Sequence, residues 1–156
     1  MDLIIKIVAK YLFVLIGPIA AYVFWKADAL SRKTLILRGI VVLVLGIVLA
    51  KGAGALYFEP RPFVTLHRAP LFPHEADNGF PSDHTLLVFA CAFLLYPFNK
   101  RAAGASMVVG AMVGGARIAA LVHSPLDIAT STVFALISGV VAAKAIKLPQ
   151  PQTPEG

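Results

Sequence analysis

LILRGIVVLVLGIVLAKGAGALY, residues 35–57, is the stretch on which the fold turns. Only Arg38 near one end and Lys51 near the other interrupt its apolar character. A helix needs roughly 20 such residues to cross a bilayer's hydrocarbon core, so the segment predicts a membrane span. The rest of the chain agrees: 156 residues, 58% of them hydrophobic, with a mean hydropathy of +0.81, are too apolar for a water-soluble domain.

Four further stretches qualify by the same criterion, about 3–25, 81–98, 103–122 and 125–146. The predicted fold is therefore all-α, a polytopic membrane helix bundle of about five transmembrane helices in a single domain over residues 1–147. The first stretch differs from a secretory signal: Lys6 and Lys10 are spread through it and the apolar run continues past Pro18 to Trp25, so a retained helix is expected. Residues 148–156, LPQPQTPEG, have the Pro and polar content of a disordered tail. Cys91 is a lone cysteine in an apolar run and has no intramolecular partner.

The formal charge of +6 does not point to nucleic acid, because the basic residues form no stripe with interleaved aromatics. They follow the positive-inside pattern instead. Lys26, Arg32, Lys33 and Arg38, then Lys100 and Arg101, then Lys144 and Lys147 all fall on one side of a five-helix zigzag, predicting that side to be cytoplasmic. The longest connection, roughly 58–80, and the tight link near 123–125 then face outward, as does the N-terminus.

Ionisable groups in or beside membrane helices are costly and mark function. They concentrate in KGAGALYFEPRPF (51–63), FPSDH (80–84) and ARIAALVHSPLD (116–127), which the zigzag brings to the same outer face. Arg61 and Arg117 offer forked guanidinium groups suited to phosphate oxygens, and Ser82 adds a hydroxyl. Pro81 suits the first turn of a helix whose N-terminal N–H groups favour anions. Of the two histidines, His84 and His123, one can attack phosphorus as a neutral imidazole while the other donates a proton to the departing oxygen. Asp127, four residues after His123, is one helical turn away and can fix the imidazole tautomer.

At these residues the sequence resembles the type 2 phosphatidic acid phosphatase superfamily of membrane lipid phosphatases, over about residues 45–140. Arg61-Pro62 matches the family's first motif, Pro81-Ser82-Asp83-His84 its second, and Arg117, His123 and Asp127 its third at the family's spacing. PRPF followed by FPSDHT and VHSPLD is most similar to bacterial undecaprenyl diphosphate phosphatases of the bacitracin-resistance type. The resemblance implies a phosphohistidine at His123, orientation by Asp127, acid catalysis by His84, and phosphate contacts from Arg61, Ser82, the Asp83 backbone N–H and Arg117. It implies no metal or cofactor, a lipid-linked phosphate or diphosphate as substrate, and a bacterial inner membrane location with the site facing the periplasm or cell exterior. A phosphatase for phosphatidate, phosphatidylglycerol phosphate or a lipid A phosphate shares the same motifs, and a weakened lipid-binding or transport member is the reading from another class.

The chain departs from the family at three points. The lysine expected seven residues before Arg61 falls at Gly54, leaving Lys51 one turn deeper as the cation that can reach the phosphate. Ala116 replaces a serine, and one helix of the family's usual six is missing, which a homodimer would cover. Glu59 reads as an interfacial carboxylate; His67, Arg68, His74, Glu75 and Asp77 read as a solvated outer loop, with Arg68 or His74 touching a second phosphate as the alternative. Zinc at His67 and His74 lacks further well-spaced ligands. Tyr57, Phe58, Phe63 and Phe80 predict an aromatic interface belt, and Gly46, Gly52, Gly54, Gly110, Gly114 and Gly115 predict close helix packing.

Overall fold

The structure, a computed structural model, describes residues 1–149. Five helices form the bundle: α1 (Asp2–Lys26), α2 (Ala29–Leu56), α3 (Asp83–Leu95), α4 (Lys100–Ala119) and α5 (Pro125–Ala145). All but α3 are long and apolar enough to cross a membrane. Residues 150–156 of the expected tail lie outside the described residues, and 148–149 are not helical.

The helix starts follow from local chemistry. Asp28 caps α2 by accepting from the Leu30 and Ser31 N–H groups, and Asn99 caps α4 by accepting from Ala102 N–H. Ser124 and Asp127 form a reciprocal capping box at α5, with Pro125 in its first turn. At the opposite end of α5 the buried Arg38 donates through Nε to the Ile146 carbonyl at 2.8 Å and through Nη2 to that of Ala143. The basic start of α2 is thus tied to the end of α5, as the zigzag requires.

The third helix corrects the sequence reading. The expected span 81–98 is a helix only over Asp83–Leu95, followed by a turn. Thirteen residues rise about 20 Å, short of a hydrocarbon core of about 30 Å. Its position fits the length: α3 packs against α1, α2, α4 and α5, so most of its surface meets protein rather than lipid. Ser131 of α5 donates to the Ser82 carbonyl at 2.9 Å and to the Asp127 carbonyl at 2.7 Å, locking the two motif-bearing segments together.

Small residues set the approach of the helices, since apolar burial gives little drive between helices in lipid. A Cβ on Gly110 would meet Phe89 at 2.9 Å, one on Gly114 would meet Ile128 at 2.8 Å, and one on Gly139 would meet Phe93 at 2.8 Å. Gly52 and Gly115, also expected at close contacts, have nothing within 4 Å. Gly54 is close to a loop rather than a helix, with the Phe80 carbonyl 3.0 Å from its would-be Cβ.

α1 is not a uniform helix. It breaks at Tyr11 (φ −125°, ψ −23°) and tightens to a 3-10 turn over Leu12–Leu15 before resuming. The residues flanking this break reach the site described next.

Candidate active site

Arg61, Arg117, His84, His123, Asp83 and Lys51 line one cavity of about 620 Å³. Three sequence-remote segments therefore do meet, and they meet on a single space of the size that small-molecule sites occupy.

His123 is the most constrained of these residues. It is 3% exposed, its Nδ1 lies 3.1 Å from Asp127 Oδ2, and its Nε2 lies 3.0 Å from Arg117 Nη2. The same Asp127 oxygen accepts from Ser124 N–H at 2.8 Å. An ionised carboxylate only accepts, so it draws the imidazole proton to Nδ1 and leaves a lone pair on Nε2. That lone pair faces Arg117. Burial lowers the His123 pKa; the hydrogen bond to Asp127 pulls it back up, and Arg117 and Arg61 push it down again. The net shift is downward, which keeps the ring neutral at neutral pH.

Both arginines are buried and fixed by backbone carbonyls. Arg61 donates through Nε to Asp77 Oδ1 at 2.7 Å and through Nη1 to the Val122 carbonyl at 2.7 Å, with a longer contact from Nη2 to the Asn78 carbonyl at 3.4 Å. Arg117 donates through Nη1 to the Ala9 carbonyl of α1 at 3.1 Å, and its enclosed Nε has no partner among the described residues. Each fork keeps N–H groups for an anion in the cavity.

The second motif is arranged less simply. His84 lines the cavity and stacks edge-on against Phe13 from the α1 break, centroids 4.7 Å apart and planes at 85°. Asp83 opens α3 at the cavity wall. Ser82 is fully buried, donates to Thr85 Oγ1 at 3.1 Å, and is not part of the wall.

Lys51 lines the α2 side, and at Gly54, the family position, a side chain would crowd the Phe80 carbonyl at 3.0 Å. Asn78 holds that loop in place. Its amide donates to the Gly54 and Tyr57 carbonyls at 3.0 and 2.9 Å, and its oxygen accepts from Glu59 and Phe80 N–H, each at 3.0 Å. Gly79 sits where a Cβ would come within 3.3 Å of both Arg61 and Asp127.

Several site residues escaped the sequence reading. Asn78, the Ala9 carbonyl and Phe13 were not expected here; the Pro-Gly-Asn punctuation of the outer loop offered a signal for Asn78, while a backbone carbonyl offers none. His74 and Asp77 belong to the cavity wall rather than to a solvated face alone. Glu59 does not pair with Arg61; its carboxylate accepts from Tyr57 OH at 2.5 Å. Among the described residues no three His, Cys, Asp or Glu side chains gather in a metal-binding group, so His67 and His74 find no third donor. Tyr57 and Phe80 pack edge-on with centroids 5.0 Å apart at the cavity rim.

A helical membrane bundle carrying buried arginines and a carboxylate-held histidine around one cavity has the layout of a membrane phosphatase. The PAP2 superfamily matches residues 33–149, and the chain belongs to that family. Among its relatives, the undecaprenyl-diphosphatase BcrC of Bacillus subtilis is 32% identical over 89% of this chain and 72% of that protein. The bacitracin transport permease protein BcrC of Bacillus licheniformis is 30% identical over 88% of this chain and 68% of that protein. The putative undecaprenyl-diphosphatase YbjG of Escherichia coli is 27% identical over 89% and 70%. The crystal structure of Aquifex aeolicus LpxE superposes with a TM-score of 0.69 at 27% identity, covering 92% of this chain and 85% of that one. The chain is accordingly a multi-pass membrane phosphatase of lipid-linked phosphates.

Proposed function

We propose that this protein hydrolyses undecaprenyl diphosphate to undecaprenyl phosphate and inorganic phosphate through a phosphohistidine at His123. The observation that carries the mechanism is His123 held between Asp127 at 3.1 Å and Arg117 at 3.0 Å on a cavity that Arg61 and His84 share.

In the first step Arg117 moves its donor from His123 Nε2 to a phosphate oxygen, which frees the lone pair. Nε2 forms a bond to the terminal phosphorus, the bond from phosphorus to the bridging oxygen breaks, and its electron pair leaves with the lipid phosphate. His84, protonated once the substrate's negative charge joins it in the cavity, delivers a proton to that oxygen. In the second step His84 takes a proton from water, the water oxygen bonds to phosphorus, and the P–N bond breaks, returning the pair to Nε2 and releasing inorganic phosphate. Arg61, Arg117, Lys51 and the N–H groups at the start of α3 neutralise charge on the equatorial oxygens, while Asp127 stabilises the cationic ring. Ser82 reaches phosphate only by turning away from Thr85. The arginines supply charge neutralisation of the kind a divalent cation supplies elsewhere, so the reaction is proposed to run without metal.

The substrate choice rests on the two relatives described as undecaprenyl-diphosphatases. Phosphatidate, phosphatidylglycerol phosphate and lipid A phosphates present the same phosphoryl group and form the second reading. A transport role, suggested by the name of the B. licheniformis relative, is less well supported, because the catalytic-type charges gather at one end of the bundle rather than along it. Residues 1–147 act as one domain in the bacterial inner membrane, with the cavity facing the periplasm or cell exterior; a homodimer would cover the flank of α1, most of which is exposed.

Phosphate release by purified protein across these lipids, with and without chelator, tests the proposal. Fastest turnover of undecaprenyl diphosphate, unaffected by chelator, is expected. Preference for phosphatidate rejects the substrate, and chelator inactivation reversed by a divalent cation rejects metal independence. For orientation, a Glu75→Cys variant in a Cys91→Ala background is expected to label from outside intact cells; labelling only after lysis reverses the topology.

A further inference from the structure

One residue of the cavity wall has no part in the chemistry above. His74 comes from the outer connection, lines the cavity with Arg61, Arg117, His84 and His123, and has its Nε2 enclosed with no hydrogen-bond partner among the described residues. An enclosed nitrogen without a partner forfeits a hydrogen bond, and such a group calls for an explanation, a catalytic or ligand-binding role among them. The ring is held on its other side by Phe72, centroids 5.9 Å apart, and Phe72 in turn lies 5.6 Å below the Lys10 ammonium of α1.

We propose that His74 is a further phosphate-contacting residue, donating from Nε2 to an oxygen of the phosphoryl group in the cavity, and that it takes up a proton when that anion binds. The inference rests on the reading of this cavity as a phosphate site, but not on the identity of the lipid.

The charges facing His74 explain the proton. Burial weighs most against a positive charge on this ring; Arg61 and Arg117 from α4 also oppose it, His123 from the α4–α5 link adds to them when protonated, and Asp77 favours the charge. The balance lowers its pKa to about 4, so His74 is neutral at neutral pH. Lys51 and Asp83 line the same cavity from α2 and α3. A phosphoryl dianion placed among these groups offsets both arginines, which raises the pKa and converts His74 from a neutral donor to a cationic one. The outer loop would then close the phosphate site from the side that the three motifs leave open.

Titration calorimetry of the full-length protein with inorganic phosphate, in two buffers of different ionisation enthalpy at pH 7, tests this directly. Wild type is expected to show proton uptake beyond that of phosphate itself. His74→Phe keeps an aromatic ring against Phe72 and loses the donor; it is expected to bind phosphate about tenfold more weakly and with less proton uptake than wild type. His74→Gln keeps a donor but cannot titrate, so it should retain most of the affinity and take up fewer protons than wild type, with any remaining uptake belonging to His84; it also serves if the Phe variant fails to fold. Wild-type affinity together with wild-type proton uptake in either variant overturns the proposal. Failure of wild type to release phosphate from any lipid, with phosphate binding still dependent on His74, would reject the enzymatic reading alone.

Discussion

Arg117 Nη2 stands 3.0 Å from His123 Nε2, so the nitrogen best placed to attack phosphorus is already hydrogen-bonded to a cation. The pair is held from both ends. Asp127 fixes the imidazole from Nδ1, and the Ala9 carbonyl fixes the guanidinium from Nη1 at 3.1 Å. In the proposed mechanism the same guanidinium turns from His123 to the phosphate when one enters.

Replacing Arg117 with Lys keeps the charge but cannot serve the Ala9 carbonyl and a phosphate together, because an ammonium is a single point donor. A fall of about a hundred-fold in kcat is expected, in line with losing one oriented donor to a transition-state oxyanion. Steady-state phosphate release checks it; an Arg117→Lys enzyme with wild-type kcat would show that the fork geometry is unnecessary.

The pH profile follows from the direction of the His123 shift. Burial lowers its pKa below the ordinary histidine value of about 6.5, so the reactive neutral ring persists into mildly acid solution and kcat/KM falls only as pH drops through the lowered value. Asp127 raises that pKa, so Asp127→Asn is expected to move the acid limb to still lower pH while reducing the plateau, since the charge that stabilises the phosphorylated ring is gone. An acid limb that moves upward in this variant would contradict the assignment of the limb to His123.

Two adjacent glycines give a packing test. A side chain at Gly114 meets Ile128, the neighbour of Asp127, at 2.8 Å, whereas one at Gly115 meets nothing within 4 Å. Gly114→Val is expected to cost about 1–3 kcal/mol through overpacking and to lower kcat by displacing Asp127. Gly115→Ala should leave activity and thermal stability as they are. Equal effects of the two changes would show that the α4–α5 approach does not set the site.

The convergence of Arg61, His84 and His123 was legible in the sequence because hydropathy fixes which helix ends share a face, and the motif spacings fix where on those ends the charges fall. Helix depth was not legible. The apolar run 81–98 looks like any span, yet its helix is the short central α3, because apolar residues bury equally well against protein and lipid. Contacts to the Ala9 and Val122 carbonyls were hidden for another reason: a backbone acceptor has no residue signature. His74 reads as part of a solvated loop with a phosphate contact only as the alternative, because loop composition says nothing about which side chain folds inward.

The central claim is that His123 carries the phosphoryl group. Rapid-quench analysis of the purified enzyme with terminally labelled undecaprenyl diphosphate tests it most directly. The account predicts an acid-labile, alkali-stable label on the peptide containing His123, formed with lipid phosphate release, and neither label nor turnover in a folded His123→Ala variant. Phosphate release persisting at wild-type rate in that variant would contradict it.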